Sequence, residues 1–185
     1  MADESEPKGT SPQDQLTHAI GHIIMMWSNA EAVLGHCLAD TLEIDRGKAT
    51  LLVAGASGRR RIEHLQALIA RGVLKLGDDV AAFHLALREL FRLEENRNLA
   101  AHSIWISYDD DGELPRAKFT ARHDEHNLYY DHADPAVWYE AGQKIGQQLK
   151  QLDAIWNRHF PARPSLLKIP GPPSAKDRGG RIPLE

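Results

Sequence analysis

Apolar residues recur every three or four positions through most of the chain, the spacing of one face of an α-helix. The first apolar stripe covers residues 16–42. A short apolar run at 48–56 indicates a second helix, and a third stripe at 62–69 stops near Gly72. The first part of the chain is therefore predicted to be helical throughout.

A fourth helix is predicted to start at Asp78 or Asp79, since either aspartate can cap it, and to run to about His102. The pattern then changes, because residues 103–108 are rich in strand formers. The turn-like sequence DDDGELP follows, and residues 116–123 alternate again. We interpret this segment as one small β-hairpin, which the sequence NLYY can extend.

The last helix is predicted to begin at Asp134 and Pro135, a capping residue followed by a first-turn proline. Its apolar positions continue to Trp156 on one face. The predicted fold class is all-α: a helical bundle of about four to five helices, with a small β-hairpin inserted before the last helix.

Composition divides the chain into three parts. Residues 1–12 are polar and are predicted to be disordered, and residues 13–160 form the helical domain. Residues 161–185 are proline-rich, so they cannot form a regular helix or a central strand. This tail is either disordered or extended and docked through its apolar residues, Leu166, Leu167 and Ile169.

Charge and cysteine content narrow the class of protein. The net charge of −4 gives no general basic field of the kind that non-specific nucleic-acid binders carry. Cys37 is the one cysteine, which excludes an intramolecular disulfide and a Cys-rich metal site, and its place on an apolar stripe predicts a buried thiol. We find no secretory leader and no membrane-spanning run, so we expect a cytoplasmic protein without a membrane partner.

The end of the fourth predicted helix is unusually polar, with the sequence ENRNLAAH at residues 95–102. Asn98 and His102 are four residues apart and share a helix face, and Arg97 lies on the adjoining edge. Arginine binds phosphate through a planar fork, and histidine transfers protons near neutral pH, so the group suits phosphodiester chemistry. The alternative is structural, because cationic side chains also favour helix C-termini through the helix dipole.

Arg97 and Asn98, followed by Leu99-Ala100-Ala101 and then His102, resemble the motif of the HEPN superfamily: arginine, a polar residue, three further residues and histidine. The surroundings are similar too, with a long first helix that carries a tryptophan and an inward glutamate, a bundle, and a closing helix after the motif. The resemblance covers residues 13–160.

The resemblance implies a homodimer in which the motif helices meet and complete one composite site. Many members are metal-independent endoribonucleases of toxin, abortive-infection or CRISPR systems, with no cofactor. By resemblance, Arg97 would hold the scissile phosphate, His102 would act as acid or base, and Asn98 would support the geometry. Some members carry a regulatory tyrosine two residues after the histidine, but this chain has Ile104 there.

Glu31 is the second candidate, because it interrupts the first apolar stripe at an inward position. A buried carboxylate needs a partner, and Arg97 is a plausible one. We interpret Glu31 as part of a structural ion pair, as a partly exposed glutamate, or as the group that orients Arg97 in an active site.

Three further groups of polar residues have weaker functional interpretations. His18 and His22 are spaced as a metal pair, but solvent-facing residues are the simpler interpretation. The histidines of RHDEHNLYYDH indicate either adventitious metal binding or a polar loop. The arginines at 59–61 could contact an RNA backbone or lie at a solvated helix start, where an acidic partner would offset their conflict with the helix dipole.

Two functions follow from these patterns. The first is a HEPN-like, metal-independent endoribonuclease that binds RNA, with Arg97, His102, Asn98 and Glu31 at the site and an antitoxin or regulatory protein as a possible partner. The second is a catalytically silent helical dimerisation module with a HEPN-like fold, which the net acidic charge and the lack of an obvious RNA groove favour.

Overall fold

The structure is a computed structural model that describes residues 11–105, 115–122, 125–132 and 134–167, with side chains described for 11–103 and 134–167. It contains five helices in these ranges: α1 Pro12–Thr41, α2 Arg46–Val53, α3 Gly58–Ala70, α4 Val80–His102 and α5 Pro135–His159. The prediction of a mostly helical protein is therefore confirmed. A single 3-10 turn, Gly77–Asp79, precedes α4.

Three strands lie between α4 and α5: β1 Ile104–Trp105, β2 Pro115–Arg122 and β3 Glu125–His132. They pair antiparallel in the order β1-β2-β3. The β2–β3 pairing runs from Pro115 opposite His132 to Arg122 opposite Glu125. The β1–β2 pairing joins Ile104 to Ala117 and Trp105 to Arg116.

Helices α1, α3, α4 and α5 form the bundle. Helix α1 packs against the other four helices, and α3 and α5 each pack against both α1 and α4. The core between them is closed by large side chains with no exposed surface, among them Trp27, Phe83 and Trp156. Cys37 is also fully buried, as predicted, and burial raises the pKa of its thiol well above the usual value.

Helix termini follow the sequence with one exception. Ser11 accepts a hydrogen bond from the Asp14 amide and Asp134 accepts one from the Ala136 amide, so both caps form and α1 begins inside the segment predicted to be disordered. Residues 1–10 of that segment lie outside the described residues. Asp79 occupies the cap position of α4 but makes no capping hydrogen bond.

Instead, the Asp79 carboxylate accepts hydrogen bonds from Arg158 and His159 at the end of α5, at 2.8–3.1 Å. These bonds hold the pKa of Asp79 at about 2. Asp79 thus lies at the predicted position without making the predicted capping hydrogen bond, because two donors from a distant helix take the oxygens that the local amides would use. The contact ties the start of α4 to the end of α5.

Candidate functional site

The motif residues lie in the last two turns of α4. Ala100 is buried against the bundle and Leu99 is half-buried, so the polar residues before and after them face other directions. The helix ends at His102, and the Ser103 amide closes the last turn on the Leu99 carbonyl at 3.1 Å. The positions of Arg97, Asn98 and His102 are thus fixed by the packing of α4.

Arg97 points toward α1, where it meets the predicted glutamate. The Arg97 Nη2 and Glu31 Oε1 atoms are 3.8 Å apart, and each side chain is about one quarter exposed, at 26% and 27%. The same Glu31 oxygen accepts a hydrogen bond of 3.1 Å from the Trp27 indole nitrogen, and the Arg97 guanidinium lies 6.0 Å from the Trp27 ring centroid. The expected contact between Glu31 and Arg97 is present, and buried Trp27 fixes its position.

Asn98 supports the same guanidinium. Its Oδ1 atom accepts a hydrogen bond of 2.8 Å from Arg97 Nη1. Asn98 itself is exposed. Arg97 is therefore oriented from two sides, while part of its planar donor fork remains open to solvent.

His102 is exposed and faces another direction. Five residues along a helix turn the side chain by about 140° relative to Arg97. Within the described residues, no hydrogen bond or ion pair joins His102 to Arg97, Asn98 or Glu31. The chain thus brings Glu31, Arg97 and Asn98 together and places His102 at the end of the same helix. We call these four residues the motif cluster.

The start of α3 packs directly beside the motif cluster. A Cβ atom on Gly58 would clash with the Trp27 ring, so glycine permits this close approach. The Arg59 amide and Arg59 Nε donate to the two carboxylate oxygens of buried Glu94, at 3.3 and 3.4 Å. Glu94 is therefore the acidic partner expected near the 59–61 arginines, and it also complements the positive end of the α3 dipole.

The three arginines have different environments. Arg59 and Arg60 are exposed, at 54% and 67% of their side-chain surface. Arg61 instead turns inward and donates to the backbone carbonyls of Ala56 and Val53, at 3.1 and 3.0 Å, and to that of Glu31. Burial lowers the pKa of Arg61, and the Glu31 carboxylate acts in the opposite direction. Arg61 is thus a structural link among α1, α2 and α3.

The roles of Trp27 and Glu94 beside the motif were missed in the sequence. Glu94 lies three residues before Arg97 and looks like an ordinary polar helix position. The available signal was Gly58 in front of three arginines, which indicates a close helix approach and a need for an acid nearby.

The histidine pair at the start of α1 packs on α5. His18 and His22 stack on Tyr139, with ring centroids 5.8 and 4.6 Å apart. Among the described residues, no group of three or more histidine, cysteine or acidic side chains could hold a metal ion. The side chains of the RHDEHNLYYDH histidines lie outside the described part of the chain.

A second polar group lies further along α1 and is buried. The Asp40 carboxylate accepts hydrogen bonds from Arg46 Nε and Nη2, at 3.1 and 2.6 Å, and from the Trp156 indole at 3.0 Å. Arg46 also donates to the carbonyls of Pro164 and Ser165, at 2.8 and 3.4 Å. We call these residues the Asp40 cluster.

The cluster anchors the first residues after α5. Leu166 is fully buried, and its amide donates to Asp153 Oδ1 at 2.6 Å. His36 Nδ1 lies 3.3 Å from the Leu166 carbonyl, and burial lowers the pKa of His36. Docking of the tail through Leu166 is therefore present, whereas Leu167 is 41% exposed and Ile169 lies outside the described residues.

Among the described residues, no helix is both long and apolar enough to cross a membrane. Comparison of the chain with protein-family models, with curated proteins and with solved structures gives no match in any of the three. The function is therefore inferred from the geometry of the motif cluster.

Proposed function

We propose that the protein is a metal-independent endoribonuclease of HEPN type, which acts on RNA in the cytoplasm as a toxin or phage-defence effector. The observation that supports this most is the state of Arg97. Its guanidinium is oriented by Glu31 and Asn98 yet remains one quarter exposed, at the same helix end as exposed His102. A fixed, accessible guanidinium and an exposed imidazole at the same helix end match the needs of phosphodiester cleavage.

In the proposed reaction, Arg97 binds the non-bridging oxygens of the scissile phosphate. The ribose 2′-hydroxyl loses its proton to a base and attacks phosphorus, while the bond to the 5′-oxygen breaks and that oxygen gains a proton. The products are a 2′,3′-cyclic phosphate and a 5′-hydroxyl end. His102 is the group that moves a proton, since a positioned imidazole can serve as general acid or base.

A second copy of the chain completes the site in this proposal. His102 and Arg97 of one protomer leave α4 about 140° apart, so the two side chains point to different sides of the helix. Two α4 ends that meet across a homodimer axis would place the histidine of one protomer near the arginine of the other. The proposal includes the predicted hairpin between α4 and α5, which is inserted directly after the motif.

The experiment that tests the proposal is cleavage of mixed RNA by the purified protein in EDTA, beside His102→Ala and Arg97→Ala, with analysis of the product ends. We expect cyclic phosphate ends and loss of cleavage in both variants, without loss of the fold. Equal cleavage by His102→Ala and the parent protein would overturn the assignment.

The second candidate is a catalytically silent dimerisation module with a HEPN-like fold. It is favoured by the net charge of −4 and by the lack of a contact between His102 and the other motif residues within the described chain. It predicts a dimer by light scattering and no cleavage of any RNA at low salt. An antitoxin or regulatory protein as partner is compatible with both candidates.

A further inference from the structure

One face of α4 carries a continuous stripe of polar and aromatic side chains. Its members are spaced alternately by four and three residues, so they line up along the helix. From first to last they span 18 residue steps, or about 27 Å at 1.5 Å per residue. Four of the six are exposed, and two are half-buried. The stripe consists of His84, Arg88, Phe91, Glu95, Asn98 and His102.

The first half of the stripe borders an open groove between α3 and α4. The groove has a volume of about 440 Å³ and is lined by Gln66 of α3 and by His84, Leu85, Arg88 and Phe91 of α4, together with Ala81. Its lining combines an aromatic ring with a cation, a histidine and an amide. That combination differs from an apolar helix-docking groove.

Arg59 connects this groove with the start of α3. Its guanidinium lies over the Phe91 ring, 4.3 Å from the centroid, and more than half of its side chain remains exposed. A second open cavity of about 540 Å³ continues beyond it, bordered by Arg59, Arg60 and His64. The stacked arginine and phenylalanine therefore lie between two grooves.

The exposed cations of this surface are Arg59, Arg60 and Arg88. Arg88 is exposed and forms no ion pair with any described residue. Arg59 and Arg60 have acidic partners, Glu94 and Glu63, but remain more than half exposed. Glu95 is the one acidic member of the α4 stripe and is exposed. An anionic polymer laid along this surface would meet Arg88 and Arg59 at the groove, together with two exposed carboxylates. These are Glu63 on α3 and Glu95 near the motif.

We propose that this α3–α4 face is the path of single-stranded RNA, which enters along Arg88 and Phe91 and leads to His102; the inference rests on the proposed ribonuclease function. Cationic side chains would follow the phosphates, and the Phe91–Arg59 stack would receive a base. Such a platform needs unpaired bases, because bases within a duplex do not expose their faces to it.

The test measures binding of a fluorescent, mixed-sequence, short single-stranded RNA to the full chain carrying His102→Ala, which keeps the RNA intact. We expect Arg88→Glu to weaken binding about tenfold at low salt, and Arg88→Ala to reduce the salt slope by about 0.7, the value for one phosphate contact on a single strand. Phe91→Leu should weaken binding about fivefold or more through loss of one base stack.

Two further variants act as controls. Lys144→Glu makes the same charge change as Arg88→Glu, but on α5, which lies at the opposite corner of the bundle from α3. It removes only an exposed ion pair with Glu140. It should leave binding within about twofold, since long-range charge effects are screened by salt. Glu95→Gln should strengthen binding by a few-fold. Melting curves of each variant establish that the fold is kept.

The outcomes separate the two proposals. Arg88→Glu and Phe91→Leu proteins that bind RNA like their parent would overturn the groove, and so would a parent that binds no RNA or binds duplex RNA equally well. If the unmutated protein still cleaves RNA in those cases, the ribonuclease stands and only the path is wrong. If RNA binding follows the expected pattern but the unmutated protein cleaves no RNA, the proposed RNA path is supported and the proposed ribonuclease activity is wrong.

Discussion

Helix α1 carries two polar groups nine residues apart, Glu31 in the motif cluster and Asp40 in the Asp40 cluster. Both are carboxylates that accept from a tryptophan indole and pair with an arginine. The pair distances differ: 2.6 Å between Arg46 and Asp40, against 3.8 Å between Arg97 and Glu31. The side chain of Asp40 is 1% exposed, while that of Glu31 is 27% exposed.

The difference lies in how much hydrogen-bonding capacity remains. Both oxygens of Asp40 are occupied, and Arg46 also binds two carbonyls of the segment after α5. Among the described residues, Arg97 has one close acceptor, Asn98, and a loose ion pair, so several of its five donors have no partner there. A saturated cluster stabilises the fold, whereas an unsaturated one can bind a ligand.

The largest expected effect comes from breaking the saturated cluster. Asp40→Ala should lower the free energy of unfolding by about 3–5 kcal/mol, because it leaves a buried indole and a largely buried arginine without their acceptor. Urea unfolding followed by circular dichroism measures the change. Glu140→Ala, which removes an exposed ion pair with Lys144, should stay within about 0.5 kcal/mol. A loss below about 1 kcal/mol for Asp40→Ala would contradict the structural role of the cluster.

A smaller effect is expected from disturbing the support of the motif cluster. Gly58→Ala should reduce stability by about 1–3 kcal/mol, because its Cβ would press on the rigid, buried Trp27 ring. Gly21→Ala in α1 is the matched control: no atom lies within 4 Å of its Cβ, so it should stabilise by about 0.5–1 kcal/mol. Thermal melting distinguishes the two signs. A stabilised Gly58→Ala protein would refute the close approach of α3 to Trp27.

The smallest effect on stability is expected in the motif cluster itself. Glu31→Gln keeps an acceptor for the Trp27 indole and removes a partly exposed charge pair, so stability should change by less than about 1 kcal/mol. If Glu31 orients Arg97 for catalysis, the same change should slow RNA cleavage by up to about a hundredfold through misplacement of the guanidinium. Urea unfolding and cleavage rates are measured on the same preparation. A large loss of stability with unchanged cleavage would show that Glu31, like Asp40, has a structural role and would contradict its role in the site.

The helices could be predicted from sequence because their apolar stripes are long and regular. The stripe of α1 also exposed Glu31 as an anomaly, and its contact with Arg97 could therefore be predicted from the pattern alone. The 140° separation of Arg97 and His102 was likewise implied by their spacing on a helix, at about 100° per residue. Each of these features depends on the position of a residue within one helix, or on a polar residue that interrupts the apolar stripe of that helix.

Other features depend on how elements meet, which spacing does not determine. Glu94 is an ordinary polar position in α4 until the start of α3 packs against it. Asp79 has the sequence position of a cap, but Arg158 and His159 of α5 occupy its carboxylate. Arg61 belongs to a basic run, yet three backbone carbonyls draw its guanidinium inward.

The buried Cys37 has a practical consequence for all of these experiments. Its thiol has no accessible surface and its pKa is raised, so thiol reagents can react with it only when the bundle opens. The rate at which Cys37 is labelled therefore measures how often the native state opens, and no probe has to be introduced. The same protection allows a cysteine placed on the α4 surface to be labelled selectively in the otherwise unaltered chain.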